Sequence, residues 1–136
     1  MGGSRPVCDG LFDDDGDGPR LRGGRCTVCS HFHFPRHDVC PYCASDATED
    51  AELSGSGRLW AWTAVTHPPP GYLGTVPYGF GVVELPEGLR VVTRLTEADP
   101  ERLRADQAMH LVLDTLGTDD EGNAVVTYAF APGAGA

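Results

Sequence analysis

Lysine is missing from this sequence of 136 residues, because all ten basic residues are arginine. A Schiff-base lysine and the lysine of a phosphate-binding P-loop are therefore excluded. Acidic residues number twenty, so the formal charge is -10. Binding along a nucleic acid backbone needs a clustered positive surface, which makes a nucleic acid partner unlikely on charge alone.

Long apolar runs are also missing. No segment approaches the roughly 20 consecutive apolar residues of a membrane-spanning helix, and the N-terminal region has Asp and Gly where a signal peptide needs an apolar stretch. We therefore expect a cytoplasmic protein without a membrane partner. The five cysteines are an odd number, and in a reducing compartment clustered cysteines indicate a metal site rather than disulfides.

Composition divides the chain into three zones. Residues 1–24 are rich in Gly, Asp, Pro and Arg, which predicts a flexible acidic leader. Residues 25–50 hold four of the five cysteines and too little aliphatic content to fold by burial alone. From residue 53 to residue 132 the hydrophobicity alternates with a period of two, which is typical of β-strands.

The second zone contains two C-x2-C pairs, Cys26 with Cys29 and Cys40 with Cys43, separated by ten residues. Two such turns supply the closed tetrahedral thiolate set that structural Zn²⁺ prefers. Four protein ligands leave no open position, so we expect the metal to stabilise the module and not to activate water. This pattern predicts a rubredoxin-like zinc ribbon.

Other interpretations of the cysteines stay open at this point. Cys-Pro-Tyr-Cys alone matches the glutaredoxin motif, but that chemistry needs a helix N-terminus in a βαβ fold. A tetrathiolate site also accepts iron. The nearby histidines His31, His33 and His37 are expected to be solvated loop residues, because four cysteines already complete the site. Cys8 is expected to be a free thiol.

Residues 13–18 reproduce the opening D-x-D-x-D-G of a calcium loop. The twelfth position, which should be a bidentate Glu, is Gly24, and Pro19 stands where a carbonyl ligand is expected. A solvated acidic loop is therefore the better interpretation.

The third zone predicts five strands, at residues 58–66, 79–85, 89–95, 109–116 and 125–130. The first of these is apolar on both faces, with Leu59 on one side and Trp60 and Trp62 on the other, so we expect both faces to be covered. Pro86 and Gly88 predict a hairpin turn, and Asp99-Pro100-Glu101 predicts a short helix that ends near residue 106. Three strands, a helix and two strands is the order of an OB-fold barrel, with a small β-sandwich as the competing architecture.

The loop at residues 67–78 is stiffened by consecutive prolines and carries Tyr72 and Tyr78. Such a loop suits a partner or ligand surface, although it could equally cap the barrel core. His67 and His110 are isolated histidines, and no catalytic set is apparent.

A four-cysteine ribbon followed by an OB-like barrel resembles the zinc-ribbon, OB-fold, acyl-CoA-associated proteins known as domain of unknown function thirty-five. The resemblance spans residues 25–131 and depends on these segments: Cys26–Cys29, His33-Phe34-Pro35-Arg36, Cys40–Cys43, Leu53-Ser54-Gly55-Ser56-Gly57, Pro77-Tyr78 and Leu85-Pro86-Glu87-Gly88-Leu89-Arg90. The glycine that commonly follows each C-x2-C in the family is Ser30 and Ala44 here.

The resemblance implies an accessory, non-catalytic subunit of a thiolase-fold partner, either a thiolase or a lipid-transfer-protein-like aldolase. By this analogy the complex cleaves an acyl-CoA in a retro-aldol or Claisen reaction, such as shortening of a steroid side chain. Tyr72 and Tyr78, with Trp60 and Trp62 nearby, are the expected contacts with the partner or with acyl-CoA at a shared interface. The alternatives are a single-stranded nucleic-acid-binding module, since OB folds and ribbons serve that role elsewhere, and an electron-transfer protein.

Overall fold

The computed structural model describes residues 4–6, 11–14, 19–70 and 76–133. The predictions made for Cys8 and Tyr72, and for Asp15 and Asp17 of the calcium-like sequence, lie outside these residues. The described residues form β-strands and one 3₁₀ helix, so the predicted mainly β class is confirmed. The strands are β1 (Ser4–Pro6), β2 (Phe12–Asp14), β3 (Pro19–Cys26), β4 (Phe32–His33), β5 (Thr48–Glu52), β6 (Ser56–Val65), β7 (Tyr78–Glu84), β8 (Arg90–Leu95), β9 (Ala108–Thr118) and β10 (Ala124–Pro132).

Five strands close into a barrel in the order β6-β7-β8-β10-β9, with β9 returning to β6. Within it β8 and β10 run parallel, and the other neighbouring strands are antiparallel. This is the OB-like topology expected from the strand order, and it excludes the sandwich alternative. Strand β1 pairs in parallel with the first residues of β10.

The barrel interior is filled by alternate residues of each strand, as a period of two requires. Leu59, Val83, Val91, Met109 and Phe130 are almost completely buried. On β7 the inward positions are Gly79, Gly81 and Val83, and the two glycines allow neighbouring strands to approach closely. A Cβ at Gly81 would lie 2.4 Å from the carbonyl oxygen of Ala61.

A β-bulge at Trp60 breaks the alternation predicted for the first barrel strand. Leu59 pairs with Val83 but Ala61 pairs with Val82, so the extra residue reverses which side chains point inward. Trp62 therefore packs against the same core as Leu59, and Trp60 is left 54% exposed. The expectation that Leu59 and Trp62 lie on opposite faces, and that both faces are covered, is wrong.

The helix predicted to end near residue 106 is only a 3₁₀ turn, Pro100–Arg102. Its start is as expected, because the Asp99 side chain accepts a hydrogen bond of 3.0 Å from the Glu101 amide. It ends early because the following backbone groups bind β6 instead of continuing a helix. The Asp106 amide donates to the Leu59 carbonyl at 2.8 Å, and the Leu59 amide donates to the Gln107 carbonyl at 2.9 Å.

The predicted hairpin between β7 and β8 is confirmed, and its turn contacts the chain leading into the barrel. Gly88 has a φ of +84°, in the left-handed region where glycine is favoured. A side-chain oxygen of Glu87 accepts a hydrogen bond of 2.7 Å from the Ser54 amide. Two of the sequence segments that carry the family resemblance, 53–57 and 85–90, are thus joined in the structure.

The ribbon consists of β3 paired with β2, β4 and β5. Its sheet includes β2 and the first residues of β3, which lie within the segment assigned to the leader, and Leu21 of β3 is completely buried. Leu21 belongs to one hydrophobic cluster with Leu53 and the barrel core. Residues 19–24 are therefore part of the ribbon and of its junction with the barrel. Among the described residues, no helix is long and apolar enough to cross a membrane.

Candidate metal centre and adjoining surfaces

The four cysteines of the two C-x2-C pairs meet at one point. Their Sγ atoms all lie within 4.8 Å of one another, and the Cys26–Cys43 and Cys29–Cys40 pairs are 3.6 Å apart. A tetrahedral site with metal–sulfur bonds of 2.3 Å places sulfurs about 3.8 Å apart. The thiol spacing therefore fits a four-coordinate metal ion of this size. In the described part of the chain, this is the one group of three or more candidate ligands that could hold a metal.

Each cysteine pair sits on the same kind of turn. The Ser30 amide donates to the Cys26 carbonyl at 2.9 Å, and the Ala44 amide donates to the Cys40 carbonyl at 3.0 Å. Both turns end with a residue in the left-handed region, Ser30 at φ +67° and Ala44 at φ +64°. These are the two positions at which the family commonly has glycine, and the turn geometry explains that preference.

Backbone amides point at the sulfurs and stabilise thiolate. The amides of Val28 and Cys29 lie 3.4 and 3.5 Å from the Cys26 Sγ, and that of Tyr42 lies 3.4 Å from the Cys40 Sγ. The pKa of Cys26 is lowered to about 6, chiefly by the Cys29 amide. Burial acts to raise the pKa of Cys40, but the amides of Cys43 and Tyr42 lower it overall.

The second thiol of each pair behaves in the opposite way. The Ser45 amide acts to lower the pKa of Cys43, but desolvation and the three neighbouring thiols raise it to about 12. The His31 amide likewise acts to lower the pKa of Cys29, but desolvation and the thiols of Cys40 and Cys26 raise it overall. A cation bound between the four sulfurs would offset the repulsion between neighbouring thiolates and favour the thiolate form at all four positions.

The geometry argues against redox chemistry at Cys40. The Cys-Pro-Tyr-Cys segment forms a turn between β4 and β5 and does not open a helix, so no helix dipole acts on its first thiol. Four protein ligands also leave no position for a substrate. The four thiols can hold a metal ion, and the closed ligand set would leave it no open coordination position.

One of the three ribbon histidines is not a solvated loop residue, contrary to expectation. His33 lies in β4, is only 2% exposed, and neither ring nitrogen makes a hydrogen bond of good geometry among the described residues. Burial lowers its pKa. Its ring occupies the space beside Gly24, where a Cβ would lie 2.3 Å from Nε2. His31 and His37 are exposed as predicted, and His31 stacks against Tyr42 with ring centroids 4.8 Å apart.

The proline-stiffened loop is described only in part, since Tyr72 falls outside the described residues. Tyr78 opens β7 and is half-buried, with the Arg94 guanidinium 4.8 Å from its ring centroid. The other two predicted contact residues lie in different environments, because Trp60 is exposed and Trp62 packs against the barrel core. The Trp62 indole donates a hydrogen bond of 3.1 Å to the Pro100 carbonyl.

A groove at the junction of ribbon and barrel was not predicted from sequence. It has a volume of about 430 Å³ and is walled by Phe34 and Pro35 of the ribbon and by β7, β8 and β10. Phe34 packs edge-on against Tyr128 with centroids 5.4 Å apart. The Tyr128 hydroxyl donates to the Val92 carbonyl at 3.1 Å, and burial raises its pKa. The sequence signal that could have indicated this groove is the pair of apolar residues Phe80 and Val92 at outward positions of β7 and β8.

The geometry so far defines a class of protein, a metal-binding ribbon fused to an OB-like barrel. Comparison with known proteins narrows this class. Residues 14–49 match the domain family described as ChsH2, rubredoxin-like zinc ribbon domain, and residues 50–114 match ChsH2, C-terminal OB-fold domain. A DUF35 domain-containing scaffold protein of Pyrococcus furiosus is 34% identical over 114 residues, which are 83% of each chain.

Two further similarities cover the same region. The benzoylsuccinyl-CoA thiolase subunit BbsA of Thauera aromatica is 32% identical over 120 residues, 85% of this chain and 78% of that one. A solved structure described as Ltp2-ChsH2(DUF35) aldolase has a TM-score of 0.61 and 32% identity, and covers 83% of this chain and 84% of that one. The chain belongs to the DUF35 family, so the resemblance inferred from its motifs is confirmed.

Proposed function

We propose that this chain is an accessory, non-catalytic subunit of an acyl-CoA thiolase or aldolase complex, in which a thiolase-fold partner carries the catalytic residues. The observation that supports this most directly is the similarity of the whole ribbon and barrel to BbsA and to the chain solved as part of an aldolase. Both relatives match over about four-fifths of this chain, so the similarity includes both domains and their junction.

The chemistry of the described residues agrees with an accessory role. Four thiols converge on a closed metal site, where no ligand position is left for substrate. The isolated histidines are engaged elsewhere: the His67 ring nitrogen lies 3.2 Å from the Thr66 hydroxyl, and that of His110 lies 3.1 Å from the Gly133 carbonyl. The reaction we assign to the complex is retro-aldol or Claisen cleavage of an acyl-CoA, with steroid side-chain degradation in the cytoplasm as the proposed context.

We propose Zn²⁺ as the metal, held by Cys26, Cys29, Cys40 and Cys43. Its contribution is folding energy for a ribbon with few aliphatic residues. An iron tetrathiolate absorbs visible light and a zinc one does not, so an absorbance spectrum and metal analysis of protein purified from the native host separate the two. One colourless zinc per chain is the expected result.

The test of the proposed function starts with the tagged chain isolated gently from its native host, with stoichiometric partners identified by mass spectrometry. We expect a thiolase-fold enzyme. The purified pair is then assayed for acyl-CoA cleavage beside each protein alone. Activity that requires the partner and rises when the chain is added supports the proposal. Cleavage by the chain alone, or co-purification with single-stranded nucleic acid instead, overturns it.

Tyr72 and Tyr78 remain our proposed contacts with the partner or with acyl-CoA. Each is replaced by Ala, with Tyr42→Ala as a matched control, because Tyr42 is an exposed tyrosine of the ribbon. We expect the loop variants to lower complex formation or activity while the control does not. Unchanged binding and activity in both loop variants removes this assignment.

A further inference from the structure

We infer that the outer surface of β6, β7 and β8 is the surface that docks onto the thiolase-fold enzyme. This inference rests on the proposed function and adds to it the surface used and the chemistry of the partner's matching surface. We call this surface the barrel-wall face and define it by Trp60, Phe80, Val92, Arg90 and Arg94.

The pairing of the strands places these residues side by side. Across β7 and β8, Phe80 is opposite Arg94, Val82 is opposite Val92, and Glu84 is opposite Arg90. Directly paired residues project from the same face of a sheet, so apolar and arginine side chains form one continuous outward surface. Phe80 is 38% exposed and Val92 is 55% exposed, which are large fractions for apolar side chains.

Both arginines are held in position before any partner arrives. The Arg90 guanidinium lies 4.1 Å from the Trp60 ring centroid, and its Nε is 3.1 Å from a Glu84 oxygen. Arg94 is 2.9 Å from an Asp114 oxygen and lies over Tyr78. Side chains already ordered lose little entropy on binding, and Trp, Tyr and Arg are the residues enriched in the energetic centres of protein interfaces.

The barrel-wall face continues into the groove at the ribbon–barrel junction. Phe80, Arg90, Val92 and Arg94 also line that groove, whose opposite wall is Phe34 and Pro35. Most of the barrel-wall face is thus one wall of this groove, which offers a pocket for an anchoring side chain of the partner. The ribbon therefore helps to shape the surface as well as folding around its metal.

The net charge of the chain indicates which kind of partner fits the barrel-wall face. The chain carries -10, but on the barrel-wall face the two arginines are each paired with a carboxylate, so this face is close to neutral. A second copy would bring another ten negative charges, and an anionic membrane or nucleic acid is repelled in the same way. The occupant that fits is an enzyme with an apolar strip inside a positively charged border, steered by the acidic remainder of this chain.

The experiment uses the reconstituted pair of full-length chain and thiolase-fold enzyme, with affinity and association rate measured by surface plasmon resonance. Val92→Glu is the test variant, because it puts an unpaired charge into the proposed interface. Val39→Glu is the matched control: Val39 is 53% exposed, lies in the ribbon, and is not on the barrel-wall face. Phe80→Ser is a second test variant, and melting temperature and metal content establish that each variant is folded.

We expect Val92→Glu and Phe80→Ser to weaken binding at least about tenfold, with Val39→Glu within about twofold of wild type. The association rate should fall as NaCl is raised. If the wild-type chain binds but the folded test variants bind equally well, or only Val39→Glu is impaired, the surface assignment is overturned and the proposed function stands. If the wild-type chain does not bind any thiolase-fold enzyme, the proposed function and this inference both fail.

Discussion

Ser30 and Ala44 hold a backbone conformation that suits glycine better than the residues present. Both are the fifth residue of a metal-binding turn, and both have positive φ. A side chain in the left-handed region costs roughly 1–2 kcal/mol, whereas glycine elsewhere costs about 0.5–1 kcal/mol in unfolded-state entropy. The metal-binding turn tolerates this strain because the four thiol ligands determine its shape.

Replacing Ala44 by glycine should therefore raise the free energy of unfolding of the metal-loaded protein by about 0.5 kcal/mol, the difference between these two effects. Chemical denaturation is the measurement. Ala51→Gly, in the extended strand β5, is the control and should lower the free energy of unfolding by about 0.5–1 kcal/mol. A loss of stability in Ala44→Gly as large as in the control would contradict the strain argument.

His33 gives the ribbon a dependence on pH whose sign follows from its burial. The folded protein holds this imidazole away from water, so its pKa lies below the value of 6.5 found in the unfolded chain. On acidification the unfolded state binds the proton first. The stability from neutral His33 is therefore complete well above pH 6.5 and is lost as the pH falls through 6.5 towards the folded-state pKa.

We expect the melting temperature to fall between pH 7.5 and pH 5.5, and to fall less in His33→Leu. His67→Leu is the control because His67 is exposed. Protonation of the cysteine ligands affects all three proteins alike, so the difference in slope isolates His33. Identical slopes in wild type and His33→Leu would show that His33 binds protons equally in the folded and unfolded states, which would contradict a lowered folded-state pKa.

At the scale of single elements, the bulge in β6 determines the roles of the two tryptophans. Trp62 packs on the core and donates a hydrogen bond to the 3₁₀ helix, whereas Trp60 faces solvent beneath Arg90. One extra residue thus converts two similar positions into a half-buried residue that packs on the core and an exposed residue. The 3₁₀ helix is short because the chain after it returns to pair with β6.

Trp62→Ala should lower the free energy of unfolding by about 2–3 kcal/mol, less than the roughly 3–5 kcal/mol for a fully buried aromatic, because Trp62 is only partly buried. Trp60→Ala should lower it by less than about 1 kcal/mol, the worth of an exposed cation–π contact. Urea denaturation of both variants makes the comparison. Equal losses for the two would mean that the bulge does not place them as described.

At the scale of the whole molecule, ribbon and barrel share one hydrophobic cluster rather than sitting as separate units. Leu21 of β3 and Leu53 of the connecting segment are buried with the barrel residues, and Phe34 packs on Tyr128. A ribbon that loses its metal loses its shape, and with it these contacts. Removal of the metal should therefore lower the stability of the barrel as well as that of the ribbon.

Chelation with EDTA should lower the melting temperature reported by the near-ultraviolet signal of the two tryptophans, Trp60 and Trp62, which both lie in strand β6 of the barrel. In Cys26→Ser, which lacks one ligand, EDTA should have little further effect. A barrel transition at the same temperature with and without metal would show that the two domains fold independently. Far-ultraviolet circular dichroism, followed in parallel, reports loss of the ribbon strands.

Much of this protein is determined by local sequence. The metal ligands were predictable because each C-x2-C pair forms its own turn, and two turns need only meet to complete the site. The five barrel strands and their OB order followed from alternating hydrophobicity and from turn residues such as Gly88, which act over a few positions. The family resemblance was visible for the same reason, since its motifs are short and occur in a fixed order.

Only the tertiary structure decided what depends on residues far apart in the chain. The β6 bulge arises from pairing with β7, so period two alone assigned Trp62 to the wrong side. His33 is buried because β3 passes beside it at Gly24, and Leu21 joins the core because Leu53 and the barrel lie over it. The barrel-wall face exists because β7 pairs with β8, and the groove exists because Phe34 of the ribbon packs against Tyr128 of β10. Sequence patterns record the preferences of each segment, but burial is set by which segments come together, and that is a property of the folded chain.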